Sequence, residues 1–264
     1  MSKLTVTTIQ ADLYWEDKTA NLRRLEEKID GISEPTELVI LPEMFSTGFS
    51  MQPRDLAEPM DGPTVSWMRD IAARKGIILT GSLIIREEGQ YYNRLIWMLP
   101  NGQAGHYDKR HRFAYAGEHE RYTAGNKRLV ASVKGWRILL LICYDLRFPV
   151  WSRQQPADGG ALEYDLVIYV ANWPERRSHA WKTLLQARAI ENEAFVIGVN
   201  RVGDDGHKIR HAGDSMIVDP LGAILYQGEE KEEVFTMTLE KETLGSIRER
   251  FPFWRDADHF YIEP

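Results

Sequence analysis

Three residues of this 264-residue chain have the types and settings that nucleophilic chemistry requires. Cys143, the only cysteine, closes the apolar run Ile138-Leu139-Leu140-Leu141-Ile142, and the sequence turns polar at once after it. That run is too short for a lone helix and suits a strand buried on both faces. A thiol at such a strand end, with a tight turn next, stands where a substrate can reach it, and the following backbone N–H groups point into the same space. Glu43 follows a second buried run, Glu37-Leu38-Val39-Ile40-Leu41, and Lys109 follows a short strand ending at Tyr107. In open α/β architectures, groups just beyond strand ends converge on one crevice. A base, a cation and a thiol are the parts a cysteine acyl-transfer enzyme needs. Each also has a plainer reading: a small buried hydrophobe for Cys143, a solvated carboxylate for Glu43, and an exposed basic patch for the KRHR run at 109–112.

The elements that must position these residues alternate in type. Leu4 to Gln10 reads as a strand, and Asp17 to Ile29 as a surface helix with Leu22, Leu25 and Ile29 at helical spacing. From Ser46 to Pro63 the chain is rich in Gly, Pro, Ser and Met, which predicts a long functional loop. Val65 to Lys75 is a helix with Gly76 as its carboxyl-terminal cap. Strands Ile77 to Ile85 and Tyr91 to Leu99 flank a tight turn at Glu88-Gly89, and Ala104 to Tyr107 adds a short one. After a polar loop, Ala116 to Lys127, a hairpin of Leu129 to Val133 and Trp136 to Ile142 turns at Lys134-Gly135.

Beyond the cysteine, Pro149 to Gln155 reads as a short helix and Pro156 to Gly160 as a loop. The buried strand Asp165 to Ala171 ends on Asn172-Trp173-Pro174. His179 to Glu193 is amphipathic, and Phe195 to Asn200 is a strand. His211 to Asp219 with Ala223 to Gln227 read as a hairpin, and Val234 to Leu239 and Glu240 to Arg250 as the last strand and helix. Alternation first and hairpins later argue for mixed sheets with helices on their outer faces. With no linker or repeat, residues 1–264 read as a single domain, 251–264 being an aromatic tail.

Composition excludes several classes. A net charge of -6 argues against general nucleic-acid or membrane-surface binding. A lone cysteine rules out an intramolecular disulfide and any multi-cysteine metal site. The histidines show no metal spacing, and no glycine fingerprint follows a strand, so neither a metal nor a cofactor is expected. No secretory signal and no long apolar run is visible, and a reduced, cytoplasmic protein is the expectation.

Five segments in order, LVILPEMF, HYDKRHRF, ICYDLRFP, IYVANWPERR and GDSMIVDPLG, resemble the glutamate, lysine, cysteine and closing segments of the nitrilase (carbon–nitrogen hydrolase) superfamily. The resemblance covers nearly the whole chain. It implies an α/β fold, a four-layer α-β-β-α sandwich, with Glu43, Lys109 and Cys143 as a catalytic triad. Glu43 would be the general base, Cys143 would form a thioester, and Lys109 with the backbone N–H of Tyr144 would stabilise the oxyanion. A cation beside Cys143 is expected to lower its pKa. The family's second glutamate falls by spacing at Glu118, with Glu120 the alternative. Arg147 is expected to be structural, pairing with a carboxylate near Glu43 or capping carbonyls, and Asp145 to cap the short helix after it.

The segments YDKRHRF, GEHERYTAGN and ANWPERR are most similar to the omega-amidase branch. That resemblance implies hydrolysis of the terminal amide of 2-oxoglutaramate and related dicarboxylic acid monoamides. Such a substrate carries a free carboxylate, for which Arg176 and Arg177 are candidates. Phe113, Tyr115 and Trp173 are candidates to wall its carbon chain. A carbamoyl-amide hydrolase, a nitrilase and a non-catalytic binding or scaffold protein remain alternatives. The resemblance also implies a homodimer, with the helix from His179 and the tail Phe251-Pro252-Phe253-Trp254 and Phe260-Tyr261-Ile262 as its surfaces.

Overall fold

The computed structural model describes residues 2–155 and 162–262; the loop expected over 156–160 lies outside the described residues. The chain opens with β1 (Lys3–Gln10), α1 (Lys18–Asp30), β2 (Leu38–Ile40), α2 (Pro53–Leu56) and α3 (Pro63–Lys75). Next come β3 (Ile78–Glu87), β4 (Gln90–Met98), β5 (Ala104–Asp108), α4 (Glu118–Arg121), β6 (Leu129–Val133) and β7 (Trp136–Ile142). They are followed by α5 (Pro149–Ser152), β8 (Leu166–Ala171), α6 (Ser178–Asn192) and β9 (Phe195–Asn200). The last elements are β10 (Val202–Asp204), β11 (Arg210–Ala212), β12 (Met216–Val218), β13 (Ile224–Gln227), β14 (Glu233–Glu240) and α7 (Lys241–Arg250).

Two six-stranded sheets form, ordered β14-β1-β2-β3-β4-β5 and β13-β12-β9-β8-β7-β6. Each has three parallel central strands, β1-β2-β3 in one and β7-β8-β9 in the other, with antiparallel strands outside them. Period-two alternation explains the layering. In β2, Leu38 and Ile40 face the second sheet, while Val39 and the following Leu41 face the layer of α1 and α3. The same split recurs in β4, with Leu95 and Trp97 inward and Ile96 and Met98 outward. On the far side α6 lays Trp181 and Leu185 on β9. It seats closely because a Cβ at Gly198 would lie 2.6 Å from Leu185 and 2.7 Å from Trp181. The architecture is the four-layer α-β-β-α sandwich.

The hairpin turns carry the expected chemistry. Glu88-Gly89 and Lys134-Gly135 both take positive φ at both positions, the turn whose twist matches the strands it joins. Four expectations need correction. The stretch 46–63 contains α2, and the stretch 116–127 contains α4. The helix after Pro149 ends at Ser152 rather than Gln155. The hairpin over 211–227 is only β12 and β13; Arg210–Ala212 instead pairs with β10 as a separate two-stranded ribbon. Short strands of this kind are assigned by the partner they find and not by their own pattern.

Candidate active site

β2 and β5 run in one direction in the first sheet and β7 and β8 in one direction in the second, and hydrogen bonds join residues that follow their carboxyl ends. Glu43, Lys109, Cys143 and Asn172 follow those four ends. Cys143 takes φ +43 and Met44, next to Glu43, takes φ +44. Left-handed backbone at a non-glycine residue costs energy and persists only where its surroundings enforce it. Here it turns each strand sharply so that the functional side chain faces the crevice.

Lys109 is the hub. Its Nζ donates to Glu43 Oε1 at 2.9 Å and to both Glu118 oxygens at 3.0 Å. Asn93, on β4, donates from Nδ2 to Glu43 Oε1 at 2.8 Å and to Glu118 Oε1 at 3.3 Å. The backbone N–H of Asn172 reaches Glu43 Oε2 at 2.8 Å, and that of Phe113 reaches Glu118 Oε2 at 2.5 Å. Glu43 and Glu118 are both fully buried. Burial alone would push the Lys109 ammonium towards neutrality, but Glu118 and Glu43 more than offset it and hold it charged. Burial pushes the Glu118 carboxyl up, and Lys109 opposes that rise. Glu118, not Glu120, joins the cluster; Glu120 stands exposed, 4.0 Å from His119.

The Glu43 charge acts on the Cys143 thiol, whose pKa is raised well above the ordinary thiol value. Burial is the largest cause and the Glu43 charge the next; Lys109 pulls the other way and loses. This corrects the expected depression. The arrangement holds a neutral thiol against a carboxylate that can take its proton, with an ammonium alongside for the negative charge that attack would create.

Asp145 ties the cysteine turn to the lysine loop. It accepts from the Ile142 N–H at 3.0 Å, the His111 N–H at 3.0 Å and the Tyr107 hydroxyl at 2.8 Å. It therefore does not cap the helix that follows, since its oxygens are turned back towards β5 and β7. The loop carrying Glu118 returns against the same lysine segment: the Gly125 N–H donates to Lys109 O, and a Cβ at Gly125 would stand 2.1 Å from Asp108 O. Only glycine fits there.

A cavity of about 240 Å³ opens onto Cys143 and Lys109. Phe113, Tyr144, Trp173, Arg176 and Arg177 line it, and so does Tyr115, at the rim, 81% exposed. Arg177 lies over the Phe113 ring at 5.1 Å, while Arg176 is exposed. Arg147 also lines the cavity and lies over Trp173 at 4.9 Å. Among the described residues it has no carboxylate partner, so the expected structural pairing is not formed. Sequence reasoning also missed Phe49, whose ring faces Lys109 at 5.1 Å, and His211, which reaches the cavity from β11. Asn93 left a legible signal, an amide close before the apolar run Leu95–Met98 of its strand, where a buried polar group needs partners. Arg147 and His211 left none.

Residues 5–249 match the carbon–nitrogen hydrolase family, and the chain belongs to that family. It is 44% identical to omega-amidase YafV of Yersinia enterocolitica, over 99% of this chain and all of that one. A 2-oxoglutaramate amidase of Bacillus subtilis is 31% identical over 96% of this chain and 97% of its own. Among solved structures, XC1258 of Xanthomonas campestris, a CN-hydrolase superfamily protein with an arsenic adduct in its active site, superposes with a TM-score of 0.97. It is 46% identical, with both chains covered fully.

Proposed function

We propose that this protein is an omega-amidase that hydrolyses the terminal amide of 2-oxoglutaramate and related monoamides of dicarboxylic acids through a thioester on Cys143. The observation that carries the reading is the grouping of the Cys143 thiol with the Glu43–Lys109 pair at the floor of a cavity whose mouth holds three guanidinium groups. Glu43 takes the thiol proton as Cys143 Sγ attacks the amide carbon. Lys109 and the Tyr144 N–H face the oxyanion, and donors fixed in advance on such an oxygen typically contribute about 3 kcal/mol each. Glu43 then returns the proton to the nitrogen, ammonia leaves, and the same carboxylate activates the water that opens the thioester. Glu118 and Asn93 keep Glu43 and Lys109 in register throughout.

The distal carboxylate is assigned to Arg147 and Arg177, with Arg176 at the exposed rim. Burial, and then neighbouring Arg176, lower the Arg177 pKa, a state that an incoming carboxylate relieves. Phe113, Tyr115 and Trp173 flank the short carbon chain. No helix among the described residues is long and apolar enough to cross a membrane. A lone nucleophilic thiol fits a reducing, cytoplasmic setting.

We read residues 1–264 as one catalytic domain acting as a homodimer, with the tail along the interface. The support is narrower than the sequence suggested. Trp181 and Leu185 of α6 are fully buried in their own core, which leaves Ile190 as that helix's large exposed apolar residue. In the tail, Phe253 and Tyr261 stay 64% and 98% exposed, while Ile262 packs on the core. The deciding assay is ammonia release from a panel of ω-monoamides and carbamoyl amides, with Cys143→Ala as control. Turnover confined to carbamoyl amides, or equal turnover by the alanine variant, overturns the reading.

A further inference from the structure

Asn172 holds Glu43 twice and keeps one atom back. Its backbone N–H donates to Glu43 Oε2 at 2.8 Å, and its Nδ2 donates to the Glu43 carbonyl oxygen at 2.5 Å. A carbonyl only accepts, so the side-chain amide cannot be flipped: the NH2 must face Glu43 and Oδ1 must face the other way. The neighbouring peptide is clamped as well. Asn200 accepts from the Trp173 N–H at 2.7 Å and donates to the Trp173 carbonyl at 3.0 Å. Asn172 thus has little freedom to turn. It lines the catalytic cavity, is only 6% exposed, and its Oδ1 is buried without a hydrogen-bond partner. A fixed, desolvated acceptor is costly to leave empty, and its presence beside the general base points to a ligand that brings an N–H.

We propose that Asn172 Oδ1 binds the amide nitrogen of the substrate, accepting an N–H hydrogen bond from the –NH2 group as it is expelled, and thereby selects amides over esters. The inference rests on the amidase reading above and deepens it. The geometry of expulsion supports it. Once Sγ has bonded to the carbon, the oxygen lies towards Lys109 and the nitrogen towards Glu43, which carries the proton taken from the thiol. The nitrogen uses its lone pair to receive that proton, the carbon–nitrogen bond breaks, and ammonia departs from the thioester. Its remaining N–H bonds need an acceptor, and Asn172, a cavity-lining residue next to Glu43, holds an unpartnered one in Oδ1. As positive charge grows on the nitrogen, that hydrogen bond strengthens, so its effect falls mainly on the rate. An ester leaving group has no N–H and gains nothing from Oδ1. A hydrogen-bonding site that meets a partner lacking the group is the strongest source of discrimination between substrates of one shape.

The test compares kcat/KM for an ω-monoamide and for the trifluoroethyl ester of the same acid in the wild type, Asn172→Ala and Asn172→Asp. The alanine variant is expected to lose about 10-fold to 100-fold more on the amide than on the ester, which shares any loss from a less firmly held Glu43. Asn172→Asp keeps an acceptor at Oδ1, so its amide-to-ester ratio is expected to remain near the wild-type ratio even where both rates fall. Equal losses on the two substrates in Asn172→Ala would mean that Asn172 only positions Glu43, and an unchanged ratio there overturns the proposal. Asn172→Leu, similar in volume and without polar ends, carries the same comparison should the alanine variant fold poorly. A wild type that releases no ammonia from the amide overturns the amidase reading instead, so the two failures are distinct.

Discussion

The floor and the mouth of the cavity are built in opposite ways. At the floor, Glu43, Lys109 and Glu118 are at most 1% exposed and each is held by several hydrogen bonds from different strands. At the mouth, Arg147 and Arg177 rest on aromatic rings, while Tyr115 and Arg176 stand in solvent. The difference teaches where rigidity is required. Charge that develops over a fraction of an ångström needs donors fixed in advance, because reorganisation at that moment is costly. A carboxylate several bonds away needs only a cation within reach, and a guanidinium stacked on a ring supplies it with some freedom to adjust.

The sharpest way to break this comparison is at the floor. Cys143→Ala is expected to abolish turnover with thermal unfolding nearly unchanged, since it removes one sulfur from a cleft. Lys109→Ala and Glu43→Gln are expected to lower kcat by at least about 10²-fold to 10³-fold with little change in KM. Steady-state kinetics check both, and a loss confined to KM contradicts the assigned roles.

The mouth is expected to behave oppositely. Arg147→Met and Arg177→Met should raise KM by roughly 10-fold to 100-fold for a carboxylated monoamide, leaving kcat within a few-fold. On an uncharged primary amide of the same length the two variants and the wild type should match. If kcat falls instead, the stacked arginines belong functionally with the floor. Tyr115→Ala and Arg176→Ala, at exposed positions, should change either constant by less than about threefold.

A pH profile sharpens the contrast without mutation. Burial and the Glu43 charge raise the Cys143 pKa well above its usual value, so the reactive thiolate is scarce at neutral pH and grows as pH rises. Alkylation of the free enzyme by iodoacetamide should therefore accelerate steadily through pH 9, reaching one equivalent per chain. A plateau near pH 7 would mean that Lys109 prevails and the thiol rests ionised. The smallest effect expected is on assembly: sedimentation of a chain ending at Arg250 should show a weakened dimer with its amidase site intact. A full-length monomer at micromolar concentration refutes the dimer.

By itself the sequence determined a good deal. Short apolar runs with sharp polar ends located β2, β7 and β8, since a strand buried on both faces has no other composition available to it. Glycine after a charged residue marked both tight hairpins. Ordered motifs brought Glu43, Lys109, Cys143 and Glu118 forward as one set, and the fold joins both glutamates to Lys109 by hydrogen bonds and sets Cys143 in the same cavity as Lys109. Other features were decided only by tertiary structure, because they depend on what lies across the cleft and not along the chain. Arg147 turned from an expected ion pair to a ring and a cavity wall because Trp173 came from another strand. His211 joined that wall because β11 paired with β10 and not with the hairpin. The Cys143 pKa went up instead of down because desolvation and the Glu43 charge outweigh a cation, and no spacing in sequence measures burial. Trp181 and Leu185 spent their apolar surface on their own core once Gly198 let the helix approach. Patterns along a chain record which groups must be buried or exposed; the partner each group meets is a property of the packed molecule alone.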